Sequence, residues 1–435
     1  MNGHVQGIGL RPAVARWAEK LELTGTISNT NRGVEIFIQG PTDQVQLFID
    51  QIFDHLPVGA HIEQCIQSEE KEQILSSFSI TESLNSNALT THVPPDVAVC
   101  EECLAEIGDP EARRYRYPFT SCTNCGPRYS IIQAMPYERA STSMREFPLC
   151  FSCQAEYKSA KDRRFHAQTN ACPDCGPEVW STTSSGERVA SHQQAISTAV
   201  AAIRQGHVVA FRGLGGYQLL VDATSEVAVN RLRQRKQRIG KPLAVMVDSL
   251  ATAEQYGTLS ELERATLGSR AAPIVLVHAR SENGLASSIN PGLKTVGLML
   301  PTTPLHALLL QQCQLPLVVT SANREGEPII YQQSNRSTDN MSIADLWLDH
   351  NREIEHPVDD SVIRCIAGRA VTIRLGRGLA PLPLKLNSDH LRIGLGGHQK
   401  TAVSISNGHQ SILGPHIGDL DSLLTCERYQ NQMSS

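Results

Sequence analysis

Eight of the twelve cysteines form four Cys-x-x-Cys pairs: Cys100/Cys103, Cys122/Cys125, Cys150/Cys153 and Cys172/Cys175. Two residues between thiols let a tight turn aim both sulfurs at one ion. Zinc, borderline-soft and tetrahedral, is satisfied by four such thiolates. Gaps of 18, 24 and 18 residues separate the pairs, so the array is an internal repeat with an offset of 50 residues. At that offset Ala105 falls on Ala155, Glu106 on Glu156, Arg113-Arg114 on Arg163-Arg164, and Gly126-Pro127 on Gly176-Pro177. Two matched halves predict two zinc ions. Spacing leaves open whether each ion takes two consecutive pairs or the first pair joins the fourth, although local pairing fits the repeat better. Four disulfides would suit a small secreted domain, but Met1–Gln6 is polar and offers no apolar leader core. Cys65, Cys313, Cys365 and Cys426 are isolated and read as small buried or incidental residues.

Two further stretches could hold anions. Gly3, Gly7 and Gly9 precede a helical pattern that begins beside Arg11. A glycine loop exposes backbone N–H groups, the helix N-terminus adds positive potential, and Arg11 adds a fork of donors. A plain turn is the alternative. Farther on, Lys236, Arg238 and Lys241 stand within six residues in RLRQRKQRIGKP, read as a basic helix running into a buried strand. Basic groups at a helix end facing the glycine loop Arg212–Gly216 suit polyphosphate, and a solvated helix face is the bland reading. Ser321 and Asn323 follow a strand and add hydroxyl and amide groups. Asp359-Asp360 could hold Mg²⁺ or cap a turn.

These groups need elements to position them. The N-terminal stretch reads as a helix through Ala13, Val14, Trp17, Ala18 and Leu21, then strands Thr24–Ser28 and Gly33–Gln39 around a turn at Asn29–Gly33. A second helix is expected over Thr42–Phe53. From 188 to 385, strands at Val208–Phe211, Leu219–Asp222, Leu243–Val247, Pro273–Val277 and Val318–Val319 alternate with helical segments such as Gln194–Gln205, an α/β pattern. LRIGLGGHQKTAVSISNGHQSILGPHIGDL reads as three strands joined by a Gly-Gly turn and an Asn407-Gly408 turn.

Composition sets limits. The 435 residues suggest about three domains. A net charge of -5 gives no reason to expect a nucleic-acid or membrane partner. No apolar run approaches the roughly 20 residues of a membrane span. Metal-type cysteines without a leader point to the reducing cytoplasm. Arg113–Tyr117 and Lys161–His166 interleave basic and aromatic residues, which could bind nucleic acid. Offsetting the charge of about -2 on each Zn(Cys)₄ centre is the better use. His166 reads as a surface or supporting residue rather than a ligand.

GHVQGIGLRP and GTISNTNRGVEIFIQG resemble the two signatures of acylphosphatases. That resemblance implies a ferredoxin-like βαββαβ sandwich, a phosphate held by Gly3–Gly9 and Arg11, and an attacking water oriented by Asn29. It also implies a strand before the loop, and since only Met1-Asn2 precede Gly3, this first strand is expected to be missing. FRGLGGYQLLVDATS, RKQRIGKPLAVM, VTSANREGEPI, DHNREIEHPVDDSVIR and IRLGRGLAPLPL resemble the YrdC-like domain. Together with CTNCGPR and HAQTNACPDCGP they resemble the HypF carbamoyltransferase family of [NiFe] hydrogenase maturation, from residue 3 to about residue 420. Four segments are implied: 1–85 acylphosphatase-like, 94–180 a double zinc-finger module, 188–385 a YrdC-like nucleotide-binding domain, and 390–435 the start of a Kae1-like domain.

By this resemblance the chain hydrolyses carbamoyl phosphate and adenylates the carbamate with Mg²⁺ and ATP. The carbamoyl group then passes to the C-terminal cysteine of the HypE protein. Lys236, Arg238, Lys241, Ser321, Asn323 and Arg374 are the implied nucleotide-binding residues. Most of the Kae1-like domain would lie beyond Ser435, so adenylation without thiol transfer is expected. A DnaJ-like zinc-organised binding module and an inactive fragment are the alternatives.

Overall fold

The computed structural model describes residues 1–57, 59–83, 91–324, 326–335, 342–384, 390–407 and 410–434. The chain forms two compact units. One comprises residues 1–94, 121–124 and 131–175, and the other 95–120, 125–130 and 176–435.

The first unit opens with β1 (Asn2–His4), α1 (Leu10–Lys20), β2 (Thr24–Thr30), β3 (Gly33–Gln39), α2 (Thr42–Gln51), β4 (His61–Gln64) and β5 (Phe78–Ile80). Helix α1 buries Leu10, Val14, Trp17 and Ala18 and exposes Arg16 and Glu19, an i, i+4 stripe facing the sheet. Pro12 lies in its first turn, where a missing N–H breaks no intrahelical bond. β2 and β3 pair antiparallel down to Thr30↔Gly33, so Asn29 belongs to the strand and only Asn31-Arg32 form the turn.

The first strand, expected to be missing, is present in short form. β1 pairs with β4, and Met1 exchanges two backbone hydrogen bonds with Val34 of β3. The order is therefore β4-β1-β3-β2-β5, with the three-residue strand in the central place that the ferredoxin-like fold requires. Val5, Ile8, Ile27, Val34, Phe48 and Ile52 close the core beneath it.

The second unit is built on a mixed sheet of 12 strands. Its central run is Ala244–Met246, Leu317–Ser321, Tyr217–Asp222 and Val209–Arg212, flanked by Thr295–Met299, Ile274–Ala279 and Val362–Ile366 on one side and Leu346–His350 on the other. Val208, Leu219, Val221, Val245, Val318 and Trp347 are all fully buried, as expected of strands covered on both faces. The basic helix differs from its sequence reading. It runs from Glu226 to Lys236, with the Ser225 hydroxyl as N-cap, and stops at Gln237 in a left-handed conformation, φ 54°. Arg238 to Lys241 are loop, and Arg233 donates to the carbonyls of Arg238 and Lys241 at 3.0 and 3.1 Å. Near the C-terminus, Leu382–Leu384, Ser411–Leu413, Ser404–Asn407 and Leu391–Gly394 form a four-stranded sheet. Gly408 of the expected Asn407-Gly408 turn lies outside the described residues.

Candidate functional site

The cysteines gather into two sets, Cys100/Cys103/Cys122/Cys125 and Cys150/Cys153/Cys172/Cys175, with all four sulfurs of a set within 4.8 Å of one another. None is in a disulfide. Grouping is local, as the repeat favours, and not interleaved. Sulfur separations are 3.6 Å for Cys103–Cys125 and Cys153–Cys175, and 3.7 Å for Cys150–Cys172. A tetrahedral ion with bonds of about 2.3 Å needs edges of roughly 3.8 Å, so both sets fit zinc. Helices Glu101–Gly108 and Phe151–Lys158 start directly after Cys100 and Cys150, which places two thiols of each set on a helix N-terminus. That dipole favours thiolate.

His166 belongs to neither set. Its ring lies 4.8 Å from that of Tyr157, and burial, then the charge of Arg11, push its pKa down to about 4. It is a neutral ring near physiological pH.

Arg11 and Asn29 do converge. The Arg11 guanidinium is 8% exposed and donates through Nη1 to Glu138 Oε1 at 2.5 Å. Asn29 Nδ2 lies 3.4 Å from the same oxygen and 3.4 Å from the Tyr137 carbonyl. Asn29 Oδ1 is buried with no partner among the described residues, an open acceptor for a small donor such as water. The Tyr137-Glu138 segment is clipped in place by Gln6. Its Oε1 accepts from the Tyr137 N–H at 3.0 Å, while its Nε2 donates to the carbonyls of Thr30 and Gly33. The first turn of α1 holds no acidic side chain, and Gly9 before it is left-handed, φ 83°. Glu138 carried no sequence signal, because it lies 127 residues from Arg11 and in no motif.

In the second unit a cavity of about 250 Å³ is lined by Gly215, Gly216, Gln218, Arg238, Thr302, His306, Ser321, Asp359, Asp360, Arg374 and Arg377, among others. Of the expected nucleotide-binding residues, Arg238, Ser321 and Arg374 line it. Lys236 is 1% exposed, and its Nζ donates to the carbonyls of Ser321 and of Asn323, the latter at 2.6 Å. Asn323 accepts from the Ser321 hydroxyl and donates to the Arg324 carbonyl at 3.0 Å, holding the turn. Lys241 is exposed on the loop.

The glycines serve close packing. A Cβ on Gly215 would lie 2.2 Å from the Val358 carbonyl oxygen, so only glycine lets the two backbones meet there.

Asp360 is committed as well. It accepts from Arg377 Nε at 2.6 Å and from Gln218 Nε2 at 2.7 Å. Burial alone would raise its pKa, but the Arg377 and Arg374 charges outweigh burial and hold it low. Both Asp360 oxygens thus accept a hydrogen bond from a neighbouring side chain. Gln218 then presents Oε1 to His306 Nε2 at 2.9 Å, and the hydroxyls of Thr302 and Thr303 lie 3.1 and 3.0 Å from Nδ1. An amide oxygen accepts only, so Nε2 carries the proton and Nδ1 accepts. Burial drives the His306 pKa down to about 3, consistent with that neutral tautomer. Neither His306 nor Gln218 was singled out in the sequence, where a lone histidine gives no signal.

The fold and sites define a multidomain chain: an acylphosphatase-like sandwich, a double Cys₄ finger module and a YrdC-like α/β domain. Family models agree. "Acylphosphatase" matches residues 1–80, "HypF finger" 99–132 and 149–182, "Telomere recombination" 201–376 and "HypF Kae1-like domain" 387–435. The carbamoyltransferase HypF of Synechocystis is 41% identical over 100% of the chain and 57% of its own length. The Rhizobium leguminosarum counterpart is 41% identical over 97% and 54%. A crystal structure of full-length HypF in the phosphate- and nucleotide-bound form matches with TM-score 0.95 and 39% identity, over 100% of this chain and 57% of that one. With this identity along its whole length, the chain belongs to the HypF carbamoyltransferase family. It spans a little over half the length of these relatives. Threonylcarbamoyl-AMP synthase of Bacillus subtilis is 28% identical over 33% of the chain and 42% of that enzyme. Among the described residues no helix is long and apolar enough to cross a membrane.

Proposed function

We propose that the chain carries the first two activities of a hydrogenase-maturation carbamoyltransferase. In the first, carbamoyl phosphate enters the site of Arg11 and Asn29. Arg11 and the loop N–H groups hold the phosphoryl oxygens, and Asn29 orients a water through Oδ1. The water oxygen bonds to phosphorus as the bond to the carbamate oxygen breaks, giving phosphate and carbamate. In the second, the carbamate oxygen attacks the α-phosphorus of ATP, giving carbamoyl adenylate and pyrophosphate. Arg238, Arg374 and Ser321 line the cavity where charge shifts to the leaving pyrophosphate, and preorganised donors there lower the barrier. Lys236 and Asn323 shape its Ser321–Asn323 wall, and Lys241 offers an ammonium on the adjoining loop. Mg²⁺ would arrive with the nucleotide. Two zinc ions in the Cys₄ sets would hold the finger module folded, and the carbamoyl group would finally pass to the C-terminal cysteine of HypE in the cytoplasm.

The observation that carries this reading is the cavity lined by Arg238, Ser321 and Arg374 within a chain 41% identical along its length to a HypF carbamoyltransferase. The test is pyrophosphate release from Mg-ATP. Release should depend on carbamoyl phosphate and should fall about a hundredfold in Arg374→Ala. Release that ignores carbamoyl phosphate would refute the coupling.

A further inference from the structure

We infer that Glu138 is a specificity-determining residue of the acylphosphatase-like site, selecting acyl phosphates whose acyl carbon bears an amino group. The inference rests on the hydrolytic reading above and names what that site chooses. Glu138 Oε1 gathers three donors: Arg11 Nη1 at 2.5 Å, the Ser83 hydroxyl at 2.5 Å and Asn29 Nδ2 at 3.4 Å. Its second oxygen meets no donor among the described residues. Among the described residues Arg11 commits only Nη1, to this oxygen, so Nε and Nη2 remain to grip a phosphoryl group. The carboxylate is therefore fixed between the phosphate-binding arginine and the water-orienting asparagine, with one acceptor to spare.

That position has a consequence for the substrate. A phosphate bound on Arg11 sits beside a second anion in a largely dehydrated place, where the Glu138 side chain is 23% exposed. Like charges at close range oppose binding. An acyl group with N–H donors offsets this by donating to the spare carboxylate oxygen. An acetyl group offers a methyl there and leaves a carboxylate oxygen unpaired. Sites built to hydrogen-bond a substrate N–H discriminate strongly against analogues that lack it.

The experiment compares kcat/KM for carbamoyl phosphate and acetyl phosphate in the unaltered chain and in Glu138→Gln. Glutamine keeps an acceptor for Arg11 and Ser83 but turns an NH₂ toward the substrate. The unaltered chain should prefer carbamoyl phosphate. In Glu138→Gln the preference should fall at least tenfold, acetyl phosphate should be hydrolysed as well or better, and inorganic phosphate should inhibit more tightly. An unchanged melting temperature would show that the variant folds, and Glu138→Asp should recover part of the preference. Equal losses for both substrates would assign Glu138 a general structural role and overturn the inference. Equal kcat/KM for both in the unaltered chain would overturn it too, while leaving the hydrolytic reading intact. Hydrolysis of neither substrate would bring down the hydrolytic reading and the inference with it.

Discussion

The acylphosphatase-like site and the YrdC-like cavity use buried cations in opposite ways. Arg11 presents its guanidinium to a side-chain carboxylate and, among the described residues, keeps Nε and Nη2 in reserve. Lys236, more deeply buried, gives its ammonium to the backbone carbonyls of Ser321 and Asn323. The first cation is set where an anion can take it up. The second braces the turn that forms one wall of the cavity, while Arg238 and Arg374 face the space inside. A basic residue in a phosphate-type motif can thus face the cavity or build its wall: Lys236 is buried on carbonyls, whereas Arg238 and Arg374 line the space even though each also donates to one.

Removing metal would disturb this contrast most. The second Cys₄ set lies in the same unit as Tyr137-Glu138. Structural zinc can supply on the order of 10 kcal/mol of folding energy. Purified protein should hold two zinc ions per chain, and chelation should expose residues 131–175 to protease. A chelated chain that resists protease, or fewer than two ions by elemental analysis, would show that thiol packing alone holds the fingers.

The next effect tests the first half of the comparison. Arg11→Ala should cut acyl-phosphate hydrolysis by a factor of about 10²–10³, the scale of one lost charge-stabilising donor. The melting temperature should change little, since Glu138 keeps Ser83 and Asn29 as partners. A large fall in melting temperature with modest loss of rate would make Arg11 a brace like Lys236.

The second half is sharpened by Lys236→Met. It leaves two carbonyls without their ammonium donor and should cost roughly 3 kcal/mol of stability in denaturant titration. Lys241→Ala, at an exposed loop position, should cost under about 0.5 kcal/mol. Equal stability for these two variants would erase the distinction between brace and ligand.

The smallest expected effect concerns pH. His306 has its pKa lowered to about 3 in the fold, against 6.5 when unfolded. The unfolded chain therefore binds the proton first. Stability from this histidine is complete above pH about 6.5 and is lost as pH falls from there toward 3. Acidifying from pH 7 to 5.5 should remove roughly 1 kcal/mol through His306. His306→Gln should flatten the stability profile over that interval. An equally steep profile in the variant would mean that other groups titrate there.

Cys-x-x-Cys pairs at an offset of 50 residues determined the eight thiols and the expectation of two sites, because a metal-binding turn is local and its ligand spacing is written along the chain, while the fold decided that consecutive pairs join. Periodicity likewise determined α1, β2 and β3 to within a few residues, since the 3.6 and 2.0 repeats reflect which face is buried. Tertiary structure alone decided the rest. It placed Glu138 on Arg11, 127 residues away. It turned Lys236 onto carbonyls and ended its helix at Gln237, so that Arg238 could line the cavity. It completed the sandwich with a three-residue central strand too short to show any alternation of its own. Each of these depends on which groups meet across the folded chain, and the energy of a buried charge is set by those neighbours rather than by the residues beside it in sequence.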